Sequence, residues 1–164
     1  MSVQTDLTAR AVRFGALFAV LSACLLLLAG ISRAGDERPF KAVVHGYAEE
    51  WPPTSNIVYV DVAGEGTHLG KFTEVLRHDI DFSTGAFTGH AILQAANGDT
   101  FETEFAGQLY PTADPTLVTF DVVHTIVSGT GRFRGATGRF RGVDGLFNML
   151  TGEDEGAYEG TISY

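Results

Sequence analysis

The sequence predicts an all-β domain, an eight-stranded antiparallel up-and-down β-barrel, and three observations predict it. Past residue 34 no segment carries an amphipathic helical period. The apolar residues instead alternate in twos within stretches separated by Gly, Pro, Asn and Asp. Most of the connections are short, which favours neighbouring antiparallel pairs, and eight such strands close on themselves and remove the exposed edges of an open sheet. A two-sheet β-sandwich is the alternative that periodicity leaves open.

In order, Phe40 to Tyr47 reads as the first strand, and Trp51-Pro52-Pro53 cannot continue it because proline has no ladder donor. Ile57 to Ala63 is the second. Gly64 to Gly70 turns the chain into a third, Lys71 to Phe82, and Ser83-Thr84-Gly85 makes a tight loop into a fourth, Ala86 to Ala96. Asn97-Gly98 predicts a hairpin with a type I′ turn, in which both central residues take positive φ. The fifth strand, Asp99 to Tyr110, sets Phe101, Thr103 and Phe105 on one face against Glu102 and Glu104 on the other, and Pro111 to Pro115 ends it. Thr116 to Val127 is the sixth. A glycine-rich corner leads into a seventh strand ending at Leu150, then Gly152 to Gly156 loops into the last, Ala157 to Tyr164. A chain ending on a strand suits a barrel, which needs that strand as a seal.

The first 34 residues read as a leader for export. Arg10 and Arg13 precede an uncharged run from Phe14 to Ser32, and Ser32-Arg33-Ala34 supplies a small-residue cleavage site before Gly35. Two other readings stay open: acylation at Cys24, within Leu21-Ser22-Ala23-Cys24, and retention of the run as a single-span anchor. Each places the folded part outside the cytoplasm, periplasmic or extracellular, and any membrane association is through this segment. Residues 35–164 then form one domain. Cys24 is the sole cysteine, so that domain holds no disulfide, thiolate metal site or cysteine nucleophile. With 8 Lys and Arg against 19 Asp and Glu past residue 34, its net charge of −11 argues against a nucleic-acid partner.

The corner between the sixth and seventh strands contains Thr-Gly-Arg-Phe-Arg-Gly twice, at 130–135 and 137–142. Its glycine density rules out a helix, so the repeat reads as turn, then strand. The run from Ser128 to Gly138, Ser-Gly-Thr-Gly-Arg-Phe-Arg-Gly-Ala-Thr-Gly, resembles the Gly-Gly-Thr-Gly-x-Phe-x-x-Ala-x-Gly signature of plant dirigent proteins, with Ser128 in place of the first glycine. Looser forms occur in allene oxide cyclases. The resemblance implies an eight-stranded, calycin-like barrel with an internal cavity that steers a reactive intermediate without a metal or redox cofactor, and by analogy a homo-oligomer. It covers only the region from the sixth strand through the seventh, and no catalytic residue carries over from it.

Gly135-Ala136-Thr137-Gly138 also has the look of a dinucleotide loop, but a strand follows it instead of a helix, and Arg141 stands where a third glycine belongs. Alternation about Phe133 and Phe140 turns Arg132, Arg134, Arg139 and Arg141 outward together, either as a solvated face paired with local acids such as Asp144 or Glu153, or as an anion or partner patch.

Face counting gives the interior. Val118, Phe120, Val122 and Ile126 share a face with His124; Phe72, Leu76, Ile80 and Phe82 share one with Glu74 and His78; Phe140, Leu146 and Asn148 share one with Asp144. Glu74, His78, His124 and Asp144 are therefore the candidate catalytic residues, because a buried carboxylate beside an imidazole is suited to proton transfer without a cofactor. A single bulge would reverse the faces beyond it. His45, His68 and His90 lack metal-ligand spacing, and His68 reads as a turn-stabilising donor. Trp51, Tyr59 and Tyr110 are candidates for a barrel mouth. No hydrolase elbow, His-Glu-x-x-His or Walker loop is present, and no cofactor or metal is expected.

Three functions remain. The first is an exported module of the cell envelope or one binding a small hydrophobic ligand. The second is a cofactor-independent cyclase or isomerase of the allene oxide cyclase or dirigent type acting on a hydrophobic substrate. The third is a structural protein docking through its arginines. An interior open around Glu74, His78 and His124 favours the enzyme, and one filled by Phe72, Phe101, Phe105 and Phe120 favours a scaffold.

Overall fold

The computed structural model describes residues 35–164; the segment read as a leader, with the cleavage site expected in it and Cys24, lies outside the described residues. Eight strands form a closed antiparallel barrel in simple sequence order. They are β1 (Arg38–Ala48), β2 (Ile57–Gly66), β3 (Gly70–Ile80), β4 (Ala86–Ala95), β5 (Thr100–Pro111), β6 (Leu117–Gly129), β7 (Thr137–Asn148) and β8 (Glu153–Ser163). β8 seals against β1 from Arg38↔Ile162 to Tyr47↔Glu153, the closure expected of a terminal strand. The sandwich is thereby excluded.

The up-and-down order gives the barrel two unlike ends. The β2–β3, β4–β5 and β6–β7 connections share one end with Gly35 and Tyr164; the β1–β2, β3–β4, β5–β6 and β7–β8 connections share the other. At the first end Phe40, Phe101, Phe133, Phe140 and Ile162 are all at most 2% exposed. Their rings interlock, with centroids 4.8 Å apart for Phe40 and Phe140 and 5.4 Å for Phe101 and Phe133. Aromatic packing of this kind fills a small barrel without voids, and this is the closed end.

The repeat supplies part of that plug. Its first copy is a 3₁₀ turn, Gly131–Phe133, that folds Phe133 under the barrel; its second copy is the start of β7, where Phe140 points inward. One hexapeptide thus takes two conformations, turn and then strand, because only the second copy has strands on both sides to pair with. The four arginines are exposed, as the alternation requires. Arg132 pairs with Asp99 at 3.8 Å, across from the β4–β5 hairpin, in place of the expected Asp144 or Glu153.

Two local expectations are corrected. The hairpin at Asn97-Gly98 exists, but only Gly98 has positive φ. The Gly98 N–H donates to Ala95 O and the Ala95 N–H to Asp99 O, so the loop is a type I turn closed by a left-handed glycine. β8 also starts at Glu153, four residues before the predicted Ala157, because pairing with β1 and β7 holds a segment that its acidic residues suggest is loop.

Candidate functional site

The interior between the plug and the other end is open. A cavity of about 340 Å³ occupies it, lined mainly by apolar side chains such as Val44, Val60, Leu76, Phe87, Val122 and Phe147. Its lining runs out to Phe82, 53% exposed, and Met149, 39% exposed, so the cavity opens at the end away from the termini. Trp51 covers part of the mouth. Its ring lies 4.6 Å from that of Phe147, and its indole N–H donates to Met149 O at 2.7 Å. Tyr59 and Tyr110 are exposed and do not line the cavity.

His78 and His124 both reach the cavity wall, from β3 and β6. Each imidazole packs 4.9 Å from the ring of Phe105, and His124 stacks on Phe140 at 4.6 Å with an interplanar angle of 10°. Burial pushes the His124 pKa down to about 3, helped by the neighbouring His78, and burial pushes His78 down to about 4. Both rings are therefore neutral at pH 7. His124 Nδ1 lies 3.0 Å from the Thr103 hydroxyl, whereas His78 Nδ1 is enclosed without a partner.

Glu74 is on the inner face, as alternation predicts, yet it is sealed beneath the cavity. It sits one inward position closer to the plug than Leu76, is 1% exposed and is absent from the cavity lining. Burial raises its pKa to about 8. The phenol of Tyr158, which does line the cavity, donates to its Oε2 at 3.0 Å, and Oε1 has no partner. At neutral pH Glu74 is predominantly a neutral acid, the form that burial tolerates.

Asp144 is the correction. The pairing of β7 with β8 slips between Val143 and Leu146, and that with β6 slips between Phe120 and Val123. Asp144 takes φ +54° in this bulge, and the face assignment reverses beyond it. Gly145, Phe147 and Met149 then line the cavity, while Asp144 is exposed on the outer surface with Asp121 and Arg141, and Leu146 and Asn148 likewise leave the lining.

The cavity carboxylate is Asp154, which sequence reasoning placed in a loop. On β8 it shares the inward face with Gly156 and Tyr158, so counting back in twos from Tyr158 was the signal that could have found it. Among the described residues neither of its oxygens has a hydrogen bond or ion pair, and Oδ1 is enclosed. Burial, with a contribution from neighbouring Glu155, raises its pKa to about 7.

His68 behaves as a turn residue. At φ +67° its Nε2 lies 3.0 Å from Pro39 O, and its Nδ1 lies 3.2 Å from the Tyr164 hydroxyl. The site thus consists of an apolar chamber with Asp154, His78, His124 and Tyr158 on its wall and Glu74 behind Tyr158. Comparison with known protein families, curated proteins and solved structures finds no match to this chain.

Proposed function

We propose that this protein is an exported binding module that holds a small, largely apolar molecule in the open half of its barrel. The observation that carries this reading is the cavity itself: about 340 Å³, apolar, plugged at one end and open at the other. That volume falls in the roughly 300–1,000 Å³ range of ordinary ligand sites. The export leader predicted for residues 1–34, and the resemblance of residues 128–138 to dirigent and allene oxide cyclase barrels, support the same reading.

The test is binding of an apolar fluorescent probe, 1-anilinonaphthalene-8-sulfonate or its uncharged analogue N-phenyl-1-naphthylamine, to the purified protein and to a variant with a filled chamber, Val60→Phe. The uncharged probe is expected to bind the wild-type protein with one-to-one stoichiometry and to lose most of its affinity in Val60→Phe. Equal binding by both proteins would place the probe elsewhere and reject the cavity.

A second reading, a cofactor-independent isomerase or cyclase, is favoured by one further feature. Asp154 has a pKa of about 7 inside an apolar chamber that also holds His78, His124 and Tyr158. A carboxyl poised near neutrality is equipped to take and return a proton. Its test is deuterium exchange at the carbon beside the carbonyl of apolar ketones, which is expected with the wild-type protein and lost in Asp154→Asn; exchange at the same rate in both would reject it.

A further inference from the structure

The cations are concentrated at one end of the barrel, whereas acids occur at both. The four connections at the open end contain Glu49, Glu50, Asp81 and Asp114 and no lysine or arginine, and Asp79 and Glu153 stand at the strand ends beside them. Arg38, Lys41, Lys71, Arg132, Arg134 and Arg139 all lie toward the closed end, where they offset Asp36, Glu37, Glu65, Asp99 and Glu159, and Arg77 alone among the described cations stands toward the mouth. The mouth is therefore the negative pole of the molecule, which draws cations toward it and repels anions.

The chamber continues the pattern. No lysine or arginine lines it, and its histidines are neutral at pH 7. An apolar acid entering it would bring its carboxylate to Asp154 with no cation to meet it, a buried like-charge contact that strongly disfavours binding. Asp154 in turn is half-buried with its Oδ1 wholly enclosed, and it has no partner among the described residues, although enclosed carboxylates are ordinarily paired. It pairs in register with Phe147, whose ring contacts that of Trp51 at the mouth. A carboxylate next to aromatic rings is the arrangement that receives an alkylammonium group, through an ion pair and through the electron-rich ring faces.

Building on the ligand-binding reading, we propose that the ligand is an apolar amine, its ammonium group held by Asp154 beside the Trp51–Phe147 pair and its hydrocarbon body in the chamber. The acidic mouth selects for charge, and the apolar wall selects for the body.

The test compares three molecules of one shape, 4-phenylbutylamine, 4-phenylbutan-1-ol and 4-phenylbutyrate, by calorimetry on the full chain at pH 7.5. The amine is expected to bind at least about tenfold more tightly than the alcohol, with the acid weakest. In Asp154→Asn the ratio of amine to alcohol affinity is expected to fall to near one; the ratio is the readout, whatever the variant does to either affinity. An alcohol or acid that equals the amine on the wild-type protein would overturn the assignment while leaving the cavity reading intact, as would an amine preference that survives in Asp154→Asn. Failure of all three to bind would overturn both.

Discussion

Tyr158 and Glu74 meet across the inside of the barrel, the phenol of β8 donating to the carboxyl of β3 at 3.0 Å, with both residues buried. The bond joins the cavity wall to the layer beneath it. Because Glu74 is neutral through most of the physiological range, the pair is a hydrogen bond between uncharged groups, and pH decides whether it stays so.

Stability should therefore peak on the acid side of neutrality. Glu74 and Asp154 hold their protons more tightly folded than unfolded. Their contribution is complete below their ordinary values of 4.5 and 3.8 and is lost as pH rises through about 8 and about 7. His78 and His124 run the opposite way: their contribution is complete above 6.5 and is lost as pH falls through about 4 and about 3. Thermal denaturation across the pH range is expected to give the highest Tm at about pH 5–6, with a decline toward pH 8. A Tm still rising between pH 6 and pH 9 would contradict the assignment.

Glu74→Gln should remove part of that decline. Glutamine resembles the protonated acid in shape, keeps an acceptor for Tyr158 and cannot ionise. The variant is expected to match the wild-type protein near pH 5 and to exceed it at pH 9 by an amount on the order of a few kcal/mol in denaturant titrations. Equal loss of stability at both pH values would mean that Gln does not reproduce the native bond.

Phe140 belongs to both the plug and the site, since it packs on Phe40 and stacks under His124. Phe140→Ala is expected to cost about 3–5 kcal/mol by urea unfolding. Phe82, 53% exposed at the mouth, is the contrast: Phe82→Ala should change stability by less than about 1 kcal/mol.

The repeat makes a sharper comparison. Gly135 has φ +78° with open space where a Cβ would go, so Gly135→Ala is expected to cost about 1 kcal/mol from the backbone alone. Gly138, the first glycine of the other copy, combines φ +146° with a Cβ position that overlaps Thr161 O of β8. Gly138→Ala must push β7 and β8 apart near the barrel seal, and its Tm should fall well below that of Gly135→Ala. Equal Tm values for the two would show that the seam yields.

Thr103 fixes the tautomer or orientation of His124 through a fully buried contact at 3.0 Å. Thr103→Val keeps the shape and removes the hydroxyl, leaving His124 Nδ1 without a partner, at an expected cost of about 1–3 kcal/mol. The shift of the His124 ring resonances by NMR checks that the loss arises there.

The sequence by itself determined the strand number, their order, the turn positions and most of the inward faces. Those features follow from local chemistry: period-two alternation, proline and glycine at the breaks, and short connections that force neighbours to pair. Phe72, Glu74, Leu76, His78 and Ile80 fell on one face because β3 runs without a bulge, and β6 kept Val118, Phe120, Val122 and His124 on one face because the extra residue opposite them belongs to β7 and its own, Val127, comes later. Tertiary structure decided the rest. The bulge at Val143–Leu146 exists only in the pairing of β7 with β6 and β8, and it sent Asp144 outside. The closing of β8 on β1 drew Glu153 to Gly156 into the sheet and set Asp154 on the wall. Whether phenylalanines fill a barrel depends on the height at which each enters it. Phe40, Phe101, Phe133 and Phe140 gather at one end, leaving the other open, and that stacking is a property of register and closure that no single strand contains.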